Sequence, residues 1–258
     1  MNGNRNGNRA PGSKRRDWRV FYRQEAGNYE ASRYGGAYGR LFKQLHHDTL
    51  TELLSASPPV QVLDVAAGTG HGTELLAALG FHVTSVDLTE EMLAAARQRM
   101  REKGLTAGFV LGNAFALPFA DETFPLVISS RFLHLWPQDQ QRVLIGEMAR
   151  VLKRGGILIV DFDNWWHRMI LRVPIFIYQR LLGRGRVVEE HYSRAKETGA
   201  MIEASGLQVT EMRGVGGYLL IVPLLASRRF ALWTGRLIGR TAWHHLFSEQ
   251  FVIGGRKR

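Results

Sequence analysis

The sequence predicts an α/β fold, a mostly parallel sheet with helices on both faces. Short apolar runs alternate with amphipathic helical stretches between Val60 and Asp161, and strands alternating with helices imply parallel pairing. Gly68 and Gly70 form a turn between the first apolar run and its helix. With 258 residues, 45% of them hydrophobic, the chain supplies the core of one main domain.

Residues 1–16 are rich in Asn, Gly and Arg and predict a disordered basic tail, because they bury too little apolar surface to offset the entropy of ordering. Residues 17–258 read as a single domain. One or two helices precede the sheet between Trp18 and Leu54, the longer at 39–55, with Gly35-Gly36 as a break. The run Val60 to Val65 is the first strand, its helix ending at Gly80. Phe81 to Leu88 is the second, after which Thr89 caps a helix whose first turn carries Glu90 and Glu91. Gly108 to Asn113, Leu126 to Ser130 and Ile157 to Asp161 are further strands, the last two separated by a helix from Gln138 to Lys153 and a turn at Arg154-Gly155-Gly156. A helix from Ser193 to Ser205 and strands at Leu207 to Arg213 and Gln250 to Gly254 complete the sheet. Two basic, apolar excursions, about 165–186 and 218–247, interrupt the alternation and read as lid-like insertions.

Composition excludes several chemistries. There is no cysteine, so thiolate nucleophiles, disulfides and Cys-ligated zinc are absent, and no metal is expected. No apolar run reaches the length of a membrane span, and the tail lacks the apolar core of a secretory signal, so the expectation is a cytoplasmic protein. The net charge of +11 attracts polyanions. Arg168, Arg172, Arg180, Arg184 and Arg186 beside Ile170, Leu171 and Phe176 suit an amphipathic surface on anionic lipid, which predicts peripheral contact at the inner membrane surface.

A parallel sheet binds its ligand outside the carboxyl ends of the strands, where Gly68-x-Gly70 and Asp87 both fall. Glycine lets the backbone approach the ligand, the following helix offers free N–H groups, and Asp87 suits a carboxylate accepting both hydroxyls of a ribose. The same features occur in nicotinamide-dinucleotide sites. Against that reading stand Asn113-Ala114 in a Leu-Pro-Phe loop and the lack of a hydride-relay constellation.

Four segments in order resemble the class I S-adenosylmethionine-dependent methyltransferases, particularly the ubiquinone and menaquinone biosynthesis branch. They are Val62-Leu63-Asp64-Val65-Ala66-Ala67-Gly68-Thr69-Gly70, Val83-Thr84-Ser85-Val86-Asp87-Leu88, Gly112-Asn113-Ala114-Phe115-Ala116-Leu117-Pro118-Phe119 and Met148 to Gly156, within about residues 60–162. The resemblance implies a Rossmann-like fold, to which the residue pattern adds seven strands, N-terminal helices and a helical lid. It also implies S-adenosylmethionine as cofactor, leaving as S-adenosylhomocysteine. By position it puts Asp64, Ala66, Gly68, Thr69 and Gly70 near the methionine moiety, Asp87 on the ribose, Leu88 and Met92 on the adenine ring, and Asn113, Ala114 and Phe115 at the adenine amine. Ala66 stands where many members have Gly, and Pro125 where Asp is usual.

A sulfonium methyl is already electrophilic, so the enzyme mainly aligns a nucleophile and excludes water, with a base needed for a hydroxyl or enolisable carbon. His134, just beyond the fourth strand, is the candidate base, against a reading in which it packs between Phe132, Leu133 and Trp136. Ser130 and Arg131 at that strand end, Trp165, Trp166 and His167 after the fifth, and Tyr29 and Tyr34 before the domain are candidates for the cofactor and acceptor walls. The expected function is methyl transfer to an oxygen or carbon of a lipophilic small molecule, such as a quinone precursor, lipid-linked sugar or natural product. Two other readings are a non-catalytic cofactor-binding interaction protein and an RNA methyltransferase, the latter without an apparent RNA-binding module.

Overall fold

A computed structural model describes residue 20 and residues 34–55, 57–169, 191–241 and 247–258. In chain order they form α1 (Ala37–Leu54), β1 (Gln61–Val65), α2 (His71–Ala78), β2 (His82–Asp87), α3 (Glu90–Lys103), β3 (Gly108–Leu111), β4 (Phe124–Ser129), α4 (Gln138–Val151), β5 (Leu152–Asp163), α5 (Ala195–Ala204), β6 (Leu207–Val215), α6 (Ile221–Ala226), α7 (Arg228–Arg240) and β7 (Gln250–Lys257). The seven strands lie in the order β3-β2-β1-β4-β5-β7-β6. β7 runs antiparallel between β5 and β6 and the remaining pairs are parallel.

Alternation along the strands sends successive side chains into two cores. Leu63, Val127 and Leu158 pack with Leu144 and Met148 of α4 and Ile202 of α5. Val62, Leu126 and Ile159 pack on the other face with Leu41 and Leu45 of α1, Leu76 of α2 and Ala231 of α7. Helices therefore cover both faces, as the sequence predicts. The winding direction reverses between β1 and β4, and such a reversal opens a crevice above the strand ends.

Two expectations need correction. The turn at 154–156 is an excursion inside β5, whose partners on β4 jump from Leu152 opposite Phe124 to Ile157 opposite Leu126. Pro125 sits at this irregularity, where its missing N–H breaks no regular ladder. The last two strands run further than expected, to Val215 and Lys257, because they pair with each other along their full lengths.

The described part of the 218–247 excursion is helical. It folds as α6 and α7 behind α1, and α7 turns the small residues Ala231, Gly235 and Gly239 inward. A Cβ on Gly235 would stand 2.7 Å from Leu45 of α1, so glycine sets how closely the two helices approach. Arg236 and Arg240 bridge to Asp48 and Glu52 of α1 at 2.7 and 2.6 Å. Of the 165–186 excursion, residues 165–169 are helical and the remainder lies outside the described residues, as does the tail.

Candidate functional site

The crevice holds a cavity of about 330 Å³, within the range of small-ligand sites. One side is built by the tips of the first three strands, and the other by α1 and the segment after β4.

On the strand-tip side the turn after β1 is shaped by backbone geometry. Ala66 and Gly68 both have positive φ, 59° and 55°. A Cβ on Gly68 would meet nothing within 4 Å, so the missing side chain leaves open space beside the backbone rather than relieving a clash. Ala66 lies in the left-handed region at a cost of about 1 kcal/mol, which explains why glycine suits that position. Ala66→Gly removes this strain and adds about 0.5 kcal/mol of unfolded-chain entropy, so we expect an unchanged or slightly raised Tm, checked by calorimetry. Arg99 of α3 braces the turn, donating to the Thr69 carbonyl at 2.8 Å and to Glu74 at 3.0 Å.

Asp87, at the tip of β2, accepts from the Gly68 N–H at 2.9 Å through one oxygen and from the Thr89 N–H and hydroxyl at 3.0 and 3.1 Å through the other. It joins two strand tips 19 residues apart. Burial raises its pKa against the pull of these donors. Asp64, at the end of β1, is buried and accepts from the Thr73 hydroxyl at 2.7 Å. Burial, opposed by that bond and helped by the charge of Asp87, pushes its pKa up to about 6. A Cβ on Gly72 would lie 3.2 Å from the Asp64 carboxylate, so glycine there lets α2 close over it.

Asp64, Ala66, Gly68, Thr69, Asp87, Leu88, Met92, Asn113, Ala114, Phe115 and Ser130 all line the cavity, brought together from β1, β2, β3 and β4. Asn113 shapes its own loop by accepting from the Phe115 N–H at 3.0 Å. Gly70 does not line the cavity. It begins α2 with φ 82°, and a Cβ there would lie 2.8 Å from that of Ala96, so it serves helix packing.

The other side differs more from expectation. Tyr34 and Arg131 line the cavity. Arg131 has φ 56°, held by two bonds from its N–H to the Asp161 carboxylate at 2.7 and 2.9 Å, and its guanidinium lies 5.1 Å from the Phe42 ring centre. His134 does not reach the cavity: it is buried in a tight turn behind Phe132 and Leu135, with Nδ1 4.0 Å from Asp163. Trp165, Trp166 and His167 do not line it either. Trp165 and Trp166 pack edge to face under the Arg194 guanidinium, and His167 is buried with its pKa lowered to about 4 by desolvation. The helix that begins after Asn164 carries these three side chains away from the strand tips. Tyr29 lies outside the described residues.

Phe42, Lys43, His46, His47 and Leu50 of α1 face the cavity and are absent from the sequence expectation. Their i, i+4, i+8 spacing marks one helix face and was legible in principle. His46 Nε2 lies 2.9 Å from Asp161, both side chains being buried, and the ring stacks on Phe42. Since Asp161 is an acceptor, the fitting tautomer donates from Nε2 and leaves Nδ1 as the ring's acceptor. Burial, aided by His46 and Lys43, lowers His47 to about 4. Burial and then Arg99 lower His71 to about 2. Neither of these is a useful base near neutral pH.

Residues 62–156 match the model of a methyltransferase domain family. An uncharacterised protein of Mycobacterium tuberculosis is 42% identical over 119 residues, 45% of this chain and 43% of that protein. The ubiquinone/menaquinone biosynthesis C-methyltransferase of Shewanella pealeana is 33% identical over 146 residues, 53% of this chain and 57% of that enzyme. The chain thus covers less than two thirds of either relative. The crystal structure of magnesium protoporphyrin IX methyltransferase from Synechocystis PCC 6803 with bound SAH superposes with a TM-score of 0.66 at 14% identity, covering 93% of this chain and 98% of that one, which shows a shared fold. In strand order, motif order and these likenesses the chain is similar to the class I S-adenosylmethionine-dependent methyltransferases, and its residues 62–156 form a methyltransferase domain.

Proposed function

We propose that this protein transfers a methyl group from S-adenosylmethionine to an oxygen or carbon of a lipophilic small molecule, with a quinone precursor as the favoured class. The observation that carries the reading is one cavity with two unlike sides. The polar strand-tip side presents a carboxylate, open glycine backbone and an Asn loop, while the opposite side combines apolar rings with a carboxylate-held histidine. The relative named for ubiquinone and menaquinone biosynthesis supports the acceptor class.

The residues fit the cofactor. The space beside Gly68 accepts a ligand chain, Asp87 keeps acceptor capacity for two hydroxyls, Leu88 and Met92 offer an apolar shelf, and buried Asp64 suits the cationic amino-acid end. When bound, the cofactor supplies an electrophilic methyl group on a sulfonium. The protein's work is to place the acceptor atom in line with it, keep water out and take the acceptor's proton. Phe42, Leu50, Phe132, Leu135 and Trp136 wall the acceptor and exclude water. Lys43 and Arg131 supply positive charge beside an enolate or phenolate. His46, oriented by Asp161, takes the proton at Nδ1 in place of the expected His134, and Asp161 stabilises the imidazolium that forms.

Incubation with methyl-labelled cofactor and separate quinone-precursor, lipid and RNA fractions tests the function. Label should enter an organic-extractable product. Label in RNA alone, or micromolar cofactor binding without transfer to any fraction, would sink the reading in favour of the RNA or the non-catalytic alternative.

Asp64 makes cofactor binding pH-dependent. Its folded pKa lies above the ordinary value of 3.8, so the buried group holds its proton up to about pH 6. The cost of ionising it appears as pH rises through that value. A cation prefers the ionised form, so affinity should rise as pH goes from 5 to 7, by up to about tenfold per pH unit below 6, and level off above it. His47 and His71, lowered to about 4 and 2, stay neutral across this window. Titration calorimetry in buffers of different ionisation enthalpy should show proton release at pH 5 and little at pH 7.5, and a flat profile would remove Asp64 from the site.

A further inference from the structure

Behind α1, on the side away from the cavity, the chain leaves large apolar side chains in water. α7 begins at Ser227, whose hydroxyl accepts from the Phe230 N–H at 3.0 Å, and buries the edge formed by Ala231, Gly235 and Gly239. The opposite edge carries Phe230, Trp233 and Leu237 at 48, 60 and 51% exposure, and α6 continues it with Val222 at 74% and Leu225 at 82%. The 230, 233, 237 spacing puts three of these side chains on one helix stripe, two of them with stacked rings. A contiguous patch of this kind marks an interaction site rather than ordinary surface.

We infer that this α6–α7 face docks in the plane of an anionic lipid surface. It goes beyond the methyl-transfer reading and does not depend on it. Charge selects the occupant. Residues 219–241 contain Arg228, Arg229, Arg236 and Arg240 and no Asp or Glu. Arg236 and Arg240 are shared with Asp48 and Glu52, whereas Arg228 and Arg229 occupy the first turn of α7, where the helix dipole disfavours cations and the turn itself carries no acidic residue. An external anion relieves that placement. A second copy of the same face would set like charges opposite one another. Nucleic acid would answer the arginines but leave the aliphatic side chains in water. An anionic bilayer meets both demands: the apolar stripe enters the acyl boundary, Trp233 takes the interfacial position and the arginines remain among headgroups.

α7 lies flat on the domain because Gly235 and Gly239 allow close approach to α1 and β6, so its exposed edge is tangent to the protein surface, as interfacial binding requires. Among the described residues α1 lies between this edge and the cavity, since Leu45 meets α7 while Phe42 and His46 of the same helix line the site.

The test is sedimentation of the full chain with phosphatidylcholine vesicles, with and without phosphatidylglycerol. The protein should bind the phosphatidylglycerol vesicles and bind neutral ones weakly. The triple variant Phe230→Ser, Trp233→Ser, Leu237→Ser should partition about tenfold or more weaker, and Arg228→Glu, Arg229→Glu should lose about tenfold on anionic vesicles only. Both change exposed side chains, and wild-type melting curves verify their folding. Should the triple variant bind like wild type, the basic tail or another segment carries the contact and the inference fails. It fails equally if wild type ignores phosphatidylglycerol, or if light scattering shows a dimer that the triple variant converts to monomer.

Discussion

Replacing Asp87 with Ala is expected to weaken S-adenosylmethionine binding by about a hundredfold or more, measured by titration calorimetry. The carboxylate is the proposed acceptor for both ribose hydroxyls, and hydrogen bonds to a charged acceptor contribute about 1.5–3 kcal/mol each. It also holds Gly68 and Thr89, so Ala leaves two backbone N–H groups of the site without their acceptor and lowers stability by about 1–3 kcal/mol. Asp87→Asn separates the effects. The amide keeps the shape but accepts through one oxygen only, so it can satisfy Gly68 or Thr89 and not both. Its melting temperature should fall less than that of the Ala variant while its affinity still drops steeply. Wild-type affinity in a folded Asn variant would remove Asp87 from the ribose.

His46→Gln should reduce kcat by about a hundredfold to ten-thousandfold while cofactor affinity stays within about twofold. Glutamine can still donate to Asp161 but cannot take the acceptor's proton, so substrate KM should change far less than kcat in the variant. Asp161→Asn should slow turnover less than His46→Gln and also loosen the Arg131 backbone, which the carboxylate holds in its left-handed conformation. His134→Ala is the contrasting change. It empties space beside Asp163 and should lower stability while leaving turnover per folded molecule nearly intact. Turnover lost in the His134 variant and kept in the His46 variant would reverse the assignment.

The strand-tip half of the site was legible because its information is local. Val62 to Gly70 contains a strand, its carboxyl-terminal carboxylate and the turn that follows, and the next strand, Val83 to Asp87, again ends in a carboxylate. Parallel pairing of adjacent βα units then brings Asp64, Gly68 and Asp87 to one edge without further specification. Gly70 shows the limit even there: its positive φ was foreseeable, whereas the contact with Ala96 depends on how α3 packs against α2. The acceptor half misled. His134 follows a strand tip as a base might, yet the chain turns inward at Phe132 and buries it. Trp165, Trp166 and His167 follow a strand end where an acceptor wall or a cover for the core could lie, and the direction of one helical turn carries them off the cavity.

Periodicity, turn chemistry and the motif order therefore determined the class of fold, the likeness to methyltransferases and the strand-tip side of the cavity, because each is written in neighbouring residues. Tertiary structure decided which face of α1 closes the cavity and that His46 meets Asp161 across 115 residues of chain. That meeting follows from the depth at which α1 sits, set by the small residues of α7 behind it and by Tyr38, which donates to Glu249 at 2.5 Å and accepts from the Gly217 N–H at 2.9 Å. Contacts of that range depend on how whole elements stack, and no local pattern in either segment specifies the other.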